Sequence, residues 1–215
     1  MSFDFSGPFS FDQPGDFSIE ALRESVSGFA TAFGRIVCPK NSLGTAVNES
    51  VTGDVIVLLP GRYKLANGLD IDKTVSVRGF GRVVLEGSGT MITLSGVESE
   101  LQGVRVEHSS SETGADALID VTGARACVRN CVIDGNFDDG INVTASGVCV
   151  QGCRFEDSST HGGTGDSDIF WADGATNGQA LGNMHSTTRQ WVLDYRAVDN
   201  MSDAANGRSA IINVR

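Results

Sequence analysis

Long hydrophobic runs are missing from this chain. No stretch of about 18 apolar residues occurs, so a membrane-spanning helix is excluded. Large rings are scarce: aromatics make up 7% of the 215 residues, with 2 Trp and 2 Tyr, while Gly reaches 27. That balance suits a narrow core with many corners. Positive charge is also short. Lys and Arg number 16 against 27 Asp and Glu, a net charge of −11, which argues against a nucleic-acid backbone as partner. Residues 1–17 carry no Lys or Arg and no continuous apolar stretch, so they do not read as a secretory signal. The five cysteines are an odd number, which argues against a secreted disulfide framework.

What is present is a repeat. An apolar residue, any residue, Gly or Asn, then an apolar residue recurs as Val77-Arg78-Gly79-Phe80, Leu101-Gln102-Gly103-Val104, Val128-Arg129-Asn130-Cys131, Val150-Gln151-Gly152-Cys153 and Leu181-Gly182-Asn183-Met184. The copies lie 24, 27, 22 and 31 residues apart. A second series, Ile92-x-Leu94, Ile119-x-Val121, Ile141-x-Val143 and Ile169-x-Trp171, follows the first four copies. Gly and Asn are the residues that most readily take positive φ, so a left-handed corner is expected at the same place in each copy. Apolar residues alternate before it (Val75 and Val77, Val148 and Val150) and after it (Val104 and Val106, Cys153 and Phe155). Strand, corner, strand with one face inward is a stacked solenoid, and the period predicts an all-β parallel β-helix.

Residues 52–87, from Thr52-Gly53-Asp54 and Leu59-Pro60-Gly61-Arg62-Tyr63 to Val83-Val84-Leu85-Glu86-Gly87, resemble the opening coils of pectate-lyase-like right-handed β-helix domains. The likeness extends over roughly residues 36–215. It implies a right-handed parallel β-helix and leaves activity open, because that superfamily holds lyases, hydrolases and non-enzymatic phage fibres and spikes. No residues match the calcium-ligand and arginine arrangement of pectate lyases. Asp138-Asp139-Gly140 is similar to the paired aspartates of polygalacturonases, without the Gly-His motif that accompanies them.

Ahead of the repeat, residues 1–17 hold Phe3, Phe5, Phe9, Phe11 and Phe17 among Gly and Pro, a composition for an extended arm. Such an arm either folds back along its own rod or docks on a neighbour with Phe anchors. Residues 18–33 predict an amphipathic helix with Ser18 as N-cap and Ile19, Leu22, Val26, Phe29, Ala30 and Phe33 on one face. A second short helix is expected near Leu43–Glu49. The expected layout is an arm over 1–17, a helical N-terminal cap over 18–50 and the β-helix over 51–215. The cap would prevent edge pairing at the open end.

Two sets of polar residues are candidates for chemistry. Cys127 and Cys149 lie one coil apart at outward positions, and Cys131 and Cys153 one coil apart at inward positions. Two stacks on opposite faces do not form one tetrahedral zinc site, and reduced thiols are expected. Carboxylates also recur: Glu107, Asp134 and Glu156 directly after the second strand, and Asp116, Asp138 and Asp166 before the next core strand. Solvated loops, a Ca²⁺ bridged by Asp138 and Asp166, and acid–base action on a glycosidic bond all fit. The catalytic candidates are Asp134, Asp139, Glu156 and Asp168. His108, His161 and His185 fall on the same loop side.

The leading expectation is a bacteriophage virion structural protein, a capsid decoration, cement or tail spike and fibre component. It is expected to be homotrimeric and attached to other virion proteins through Phe3, Phe5, Phe9, Phe11 and Phe17, without nucleic acid or membrane insertion. The rivals are a polysaccharide lyase or glycoside hydrolase, and a glycan-binding module.

Overall fold

The computed structural model describes residues 35–37, 42–108, 117–135, 139–156, 167–172, 174–185, 197–198 and 201–202. The predicted arm and the helix over 18–33 lie outside them, as do Asp116, Asp138, Asp166 and His161.

The chain begins its sheets with β1 (Arg35–Val37), then forms α1 (Leu43–Glu49), the short helix expected there. Ser42 caps it, its Oγ accepting from the Thr45 N–H at 3.2 Å. Leu43 and Val47 face the core. The carbonyls at the other end meet a cation: Lys73 Nζ donates to the carbonyls of Val47, Asn48 and Ser50 at 3.2, 2.6 and 3.0 Å. A charge there satisfies orphan acceptors and opposes the negative end of the helix.

After α1 the chain visits three sheets in rotation. Sheet A stacks β1, β2 (Val55–Leu58), β5 (Ser76–Gly79), β8 (Glu100–Gln102), β11 (Cys127–Arg129), β14 (Cys149–Gln151), β17 (Gln179–Leu181) and β19 (Ala197–Val198). Sheet B stacks β3 (Gly61–Leu65), β6 (Val83–Gly87), β9 (Arg105–His108), β12 (Val132–Asp134), β15 (Arg154–Glu156), β18 (Met184–His185) and β20 (Met201–Ser202). Sheet C stacks β4 (Leu69–Ile71), β7 (Ile92–Leu94), β10 (Ala117–Val121), β13 (Asp139–Val143) and β16 (Ser167–Trp171). All pairings are parallel, an arrangement compatible with a parallel β-helix.

Register aligns like with like. Ile92, Ile119, Ile141 and Ile169 form one inward column of sheet C, and Leu94, Val121, Val143 and Trp171 the next. Leu69 and Ile71 extend both columns by one earlier turn. In sheet B, Tyr63, Leu85, Val106, Ile133 and Phe155 stack inward, each at most 2% exposed. Burying such side chains contributes about 1.5–3 kcal/mol each and is the main force holding the turns together.

The repeated corner between sheets A and B is left-handed where expected at Gly103, Asn130 and Gly152, with φ of 69°, 51° and 62°. Two copies differ. Gly79 is not left-handed; it is needed because a Cβ there would stand 2.3 Å from the Gly103 carbonyl oxygen. In the fifth copy the corner is Gly182 (φ 59°), not Asn183, and the pairing aligns Ala180, not Leu181, with Val150. Asn183 therefore drops into the inward column after Val104, Cys131 and Cys153 and is 2% exposed. Its amide is satisfied by the turn before: Oδ1 accepts from the Cys153 N–H at 2.9 Å, and Nδ2 donates to the Val150 carbonyl at 3.1 Å.

Candidate functional site

The outward face of sheet B carries the first predicted carboxylate ladder. Glu107, Asp134 and Glu156 stand in direct register on β9, β12 and β15, and Glu86 on β6 adds a fourth member. Stacked at ~4.8 Å, four like charges would repel strongly. A second outward column, two residues back along each strand, removes that repulsion. It reads Arg62, Val84, Arg105, Val132, Arg154 and Met184, with arginine on every second turn.

Two of the three guanidiniums, those of Arg62 and Arg105, span turns. Arg62 contacts Glu86 at 3.0 Å and Glu107 at 2.8 Å. Arg105 contacts Glu107 at 3.7 Å, Glu156 at 2.8 Å, and Asp134 through Nη2. Arg154 closes the series on Glu156 at 2.7 Å. Burial works against the Arg105 charge, but hydrogen bonds and attraction from Asp134 and Glu156 outweigh it and raise its pKa. Alternation places Arg105 between Val84 and Val132 and gives Arg62 and Arg154 a valine on one side, leaving room for the long guanidinium stems. Sequence reading found this carboxylate column but missed its partners. The signal was present as Arg105-x-Glu107 and Arg154-x-Glu156, two residues apart on one face of a strand.

The four catalytic candidates divide between two walls. Asp134 and Glu156 are neighbours in the sheet B network. Asp139 opens β13 in sheet C, in register with Ala117 and Ser167. Asp168 follows on β16, fully buried. His108 lies at the end of β9, its Nε2 accepting from the Gly89 N–H at 3.3 Å. Among the described residues, no three His, Cys, Asp or Glu side chains converge as a metal cluster. Also among these residues, no helix is long and apolar enough to cross a membrane.

The thiols take the outward and inward positions expected of them, Cys127 and Cys149 on sheet A and Cys131 and Cys153 in the corner that follows it. Cys131 and Cys153 are buried, at 1% and 0% exposure. Cys127 and Cys149 are direct register partners on β11 and β14, half-buried on the outer face. All four are free thiols. Arg129 Nη2 reaches Cys127 Sγ at 3.5 Å, while its Nε lies 3.6 Å from Glu100 on the preceding turn. The Cys149 thiol donates to Cys127, and with Arg129 this lowers the Cys127 pKa to about 6 against the burial that would raise it. The neighbouring Cys127 sulfur and burial push Cys149 up.

Comparison with known proteins finds no matching family model, no matching curated protein and no matching solved structure.

Proposed function

We propose that this chain is a virion structural protein, built as a right-handed parallel β-helix of the pectate-lyase-like kind. Residues 18–50 cap its first turn, and the Phe-rich arm over 1–17 grips a neighbouring capsid or tail protein. The rod self-associates as a homotrimer. The observation that carries this reading is the ion-paired wall of sheet B. Glu107, Asp134 and Glu156 are engaged by Arg62, Arg105 and Arg154, so two of the four carboxylates that would act on a glycosidic bond, Asp134 and Glu156, belong to a network that ties successive turns together.

Light scattering on the full chain and on a chain lacking residues 1–17 tests it. A trimeric mass in both is expected, since the rod associates and the arm is left to attach. A monomer in both overturns the trimeric spike or cement reading.

One observation favours the enzymatic rival: Asp168 is a fully buried carboxylate on the wall that also holds Asp139. Oligosaccharide release that is lost in both Asp139→Asn and Asp168→Asn, with folding intact, would establish that rival.

A further inference from the structure

Two pairs of register-matched cysteines occupy consecutive turns of this chain, and only one of them has the surroundings of a reactive site. Cys131 and Cys153 lie inside the core, with sulfurs directed at backbone carbonyls: Cys131 at Leu101 and Arg129, Cys153 at Val128 and Gln151. They pack as small apolar residues. Cys127 and Cys149 stand outside on sheet A as direct register partners, with the Arg129 guanidinium 3.5 Å from Cys127 Sγ. The charged groups around Cys127 are Arg129 on its own strand and Glu100 on the strand before; Arg78 in turn holds Glu100 at 2.8 Å. Glu100 opposes an anionic sulfur but is itself engaged by both Arg78 and Arg129, and the cation nearest the thiol is Arg129. That cation favours an anionic sulfur and disfavours capture of a metal cation.

We propose that Cys127 and Cys149 form a hydroperoxide-reactive modification site on the outer face of sheet A, in which Cys127 is the nucleophile, Arg129 holds its anion and Cys149 resolves it into a disulfide joining two successive turns. The Cys127 thiolate attacks one peroxide oxygen. The S–O bond forms, the O–O bond breaks, and the departing hydroxide or alkoxide takes a proton from water. Cys149 sulfur then attacks Cys127 sulfur. The S–S bond forms, the S–O bond breaks, and hydroxide leaves with the Cys149 proton as water. Two thiols lose two electrons and two hydrogens; the peroxide is reduced to water, or to an alcohol and water.

The geometry permits the bridge. Strand neighbours in register have Cα atoms ~4.8 Å apart, inside the roughly 4.4–6.8 Å range of disulfides. Their parallel side chains stand slightly wider than the usual Cβ separation of about 3.8 Å, so closure draws the two turns together locally and leaves a bond that thiols readily reduce. The lowered proton affinity of Cys127 keeps the nucleophile available at neutral pH, the property that marks cysteines sensitive to peroxide.

The test is native oxidation of the full chain with stoichiometric hydrogen peroxide, followed by alkylation and peptide mapping. Cleavage after Arg125, Arg129 and Arg154 isolates Cys127 on residues 126–129 and the other three sulfurs on residues 130–154. The expected product is a Cys127–Cys149 cross-link, lighter by two hydrogens and reversed by dithiothreitol, with Cys131 and Cys153 still free. In Cys149→Ser, the sulfenic acid on Cys127 should persist and be trapped by dimedone. Arg129→Gln should slow Cys127 alkylation about fivefold at pH 7 and move its half-maximal pH upward. Labelling of Cys127 no faster than that of buried Cys131 overturns the proposal. So does peroxide treatment that cross-links separate chains only.

Discussion

The two faces of sheet B are made from alternate residues of the same strands, yet they obey different rules. Inside, Leu85, Val106, Ile133 and Phe155 stack directly upon one another. One residue further along, Glu86, Glu107, Asp134 and Glu156 stack with the same spacing outside. The inner column is self-sufficient, since apolar neighbours of any shape gain by leaving water together. The outer column is not. It stands only because a second column supplies a guanidinium on every other turn. A register that gathers like residues favours hydrophobic stacking automatically and makes charged stacking conditional on a partner.

The comparison is sharpened most by an inner truncation. Ile133→Ala should destabilise the chain by about 2–5 kcal/mol, read as a lowered denaturant midpoint, because the rigid turns above and below cannot collapse into the void. Next is the polar member of an inner column. Asn183→Ala strips the Cys153 N–H and Val150 carbonyl of their side-chain partner and should cost about 1–3 kcal/mol in the same measurement. The smallest change is expected outside. Arg105→Gln, in a part-exposed network, should cost about 1 kcal/mol at low ionic strength, and the loss should shrink in molar salt. A cost for Arg105→Gln as large as that for Ile133→Ala would break the distinction between the faces.

Much of this arrangement was legible in the sequence, for a physical reason. Period-2 alternation exposes inward columns directly, so Val77, Val128, Val150 and the Ile-x-apolar series could be read as one core. The helix at Leu43–Glu49 was expected from the sequence, and the structure adds its Ser42 cap and the buried pair Leu43 and Val47. Corners were readable only where a residue type reports backbone conformation. Gly103 and Gly152 do so; Glu98 and Arg125, both at φ 58° in the corner from sheet C to sheet A, do not. The fifth copy was framed one residue late because Leu181 and Met184 look like core residues, whereas Ala180 is the residue that packs. At the candidate site, the carboxylates were visible because they recur on every turn. The arginines were not, because valine interrupts them and a column that repeats every second turn resembles noise within a single repeat.

That interruption has a consequence for how such a chain can change length. The backbone of sheet B is periodic in one turn, but its charge pattern is periodic in two, like a superlattice on a simpler crystal. Excising or duplicating a single turn would leave every strand paired and every apolar column continuous while bringing two arginines, or two valines, into adjacent layers. Growth or shortening by an even number of turns preserves both periods. The charge lattice therefore acts as a parity rule on the length of the rod.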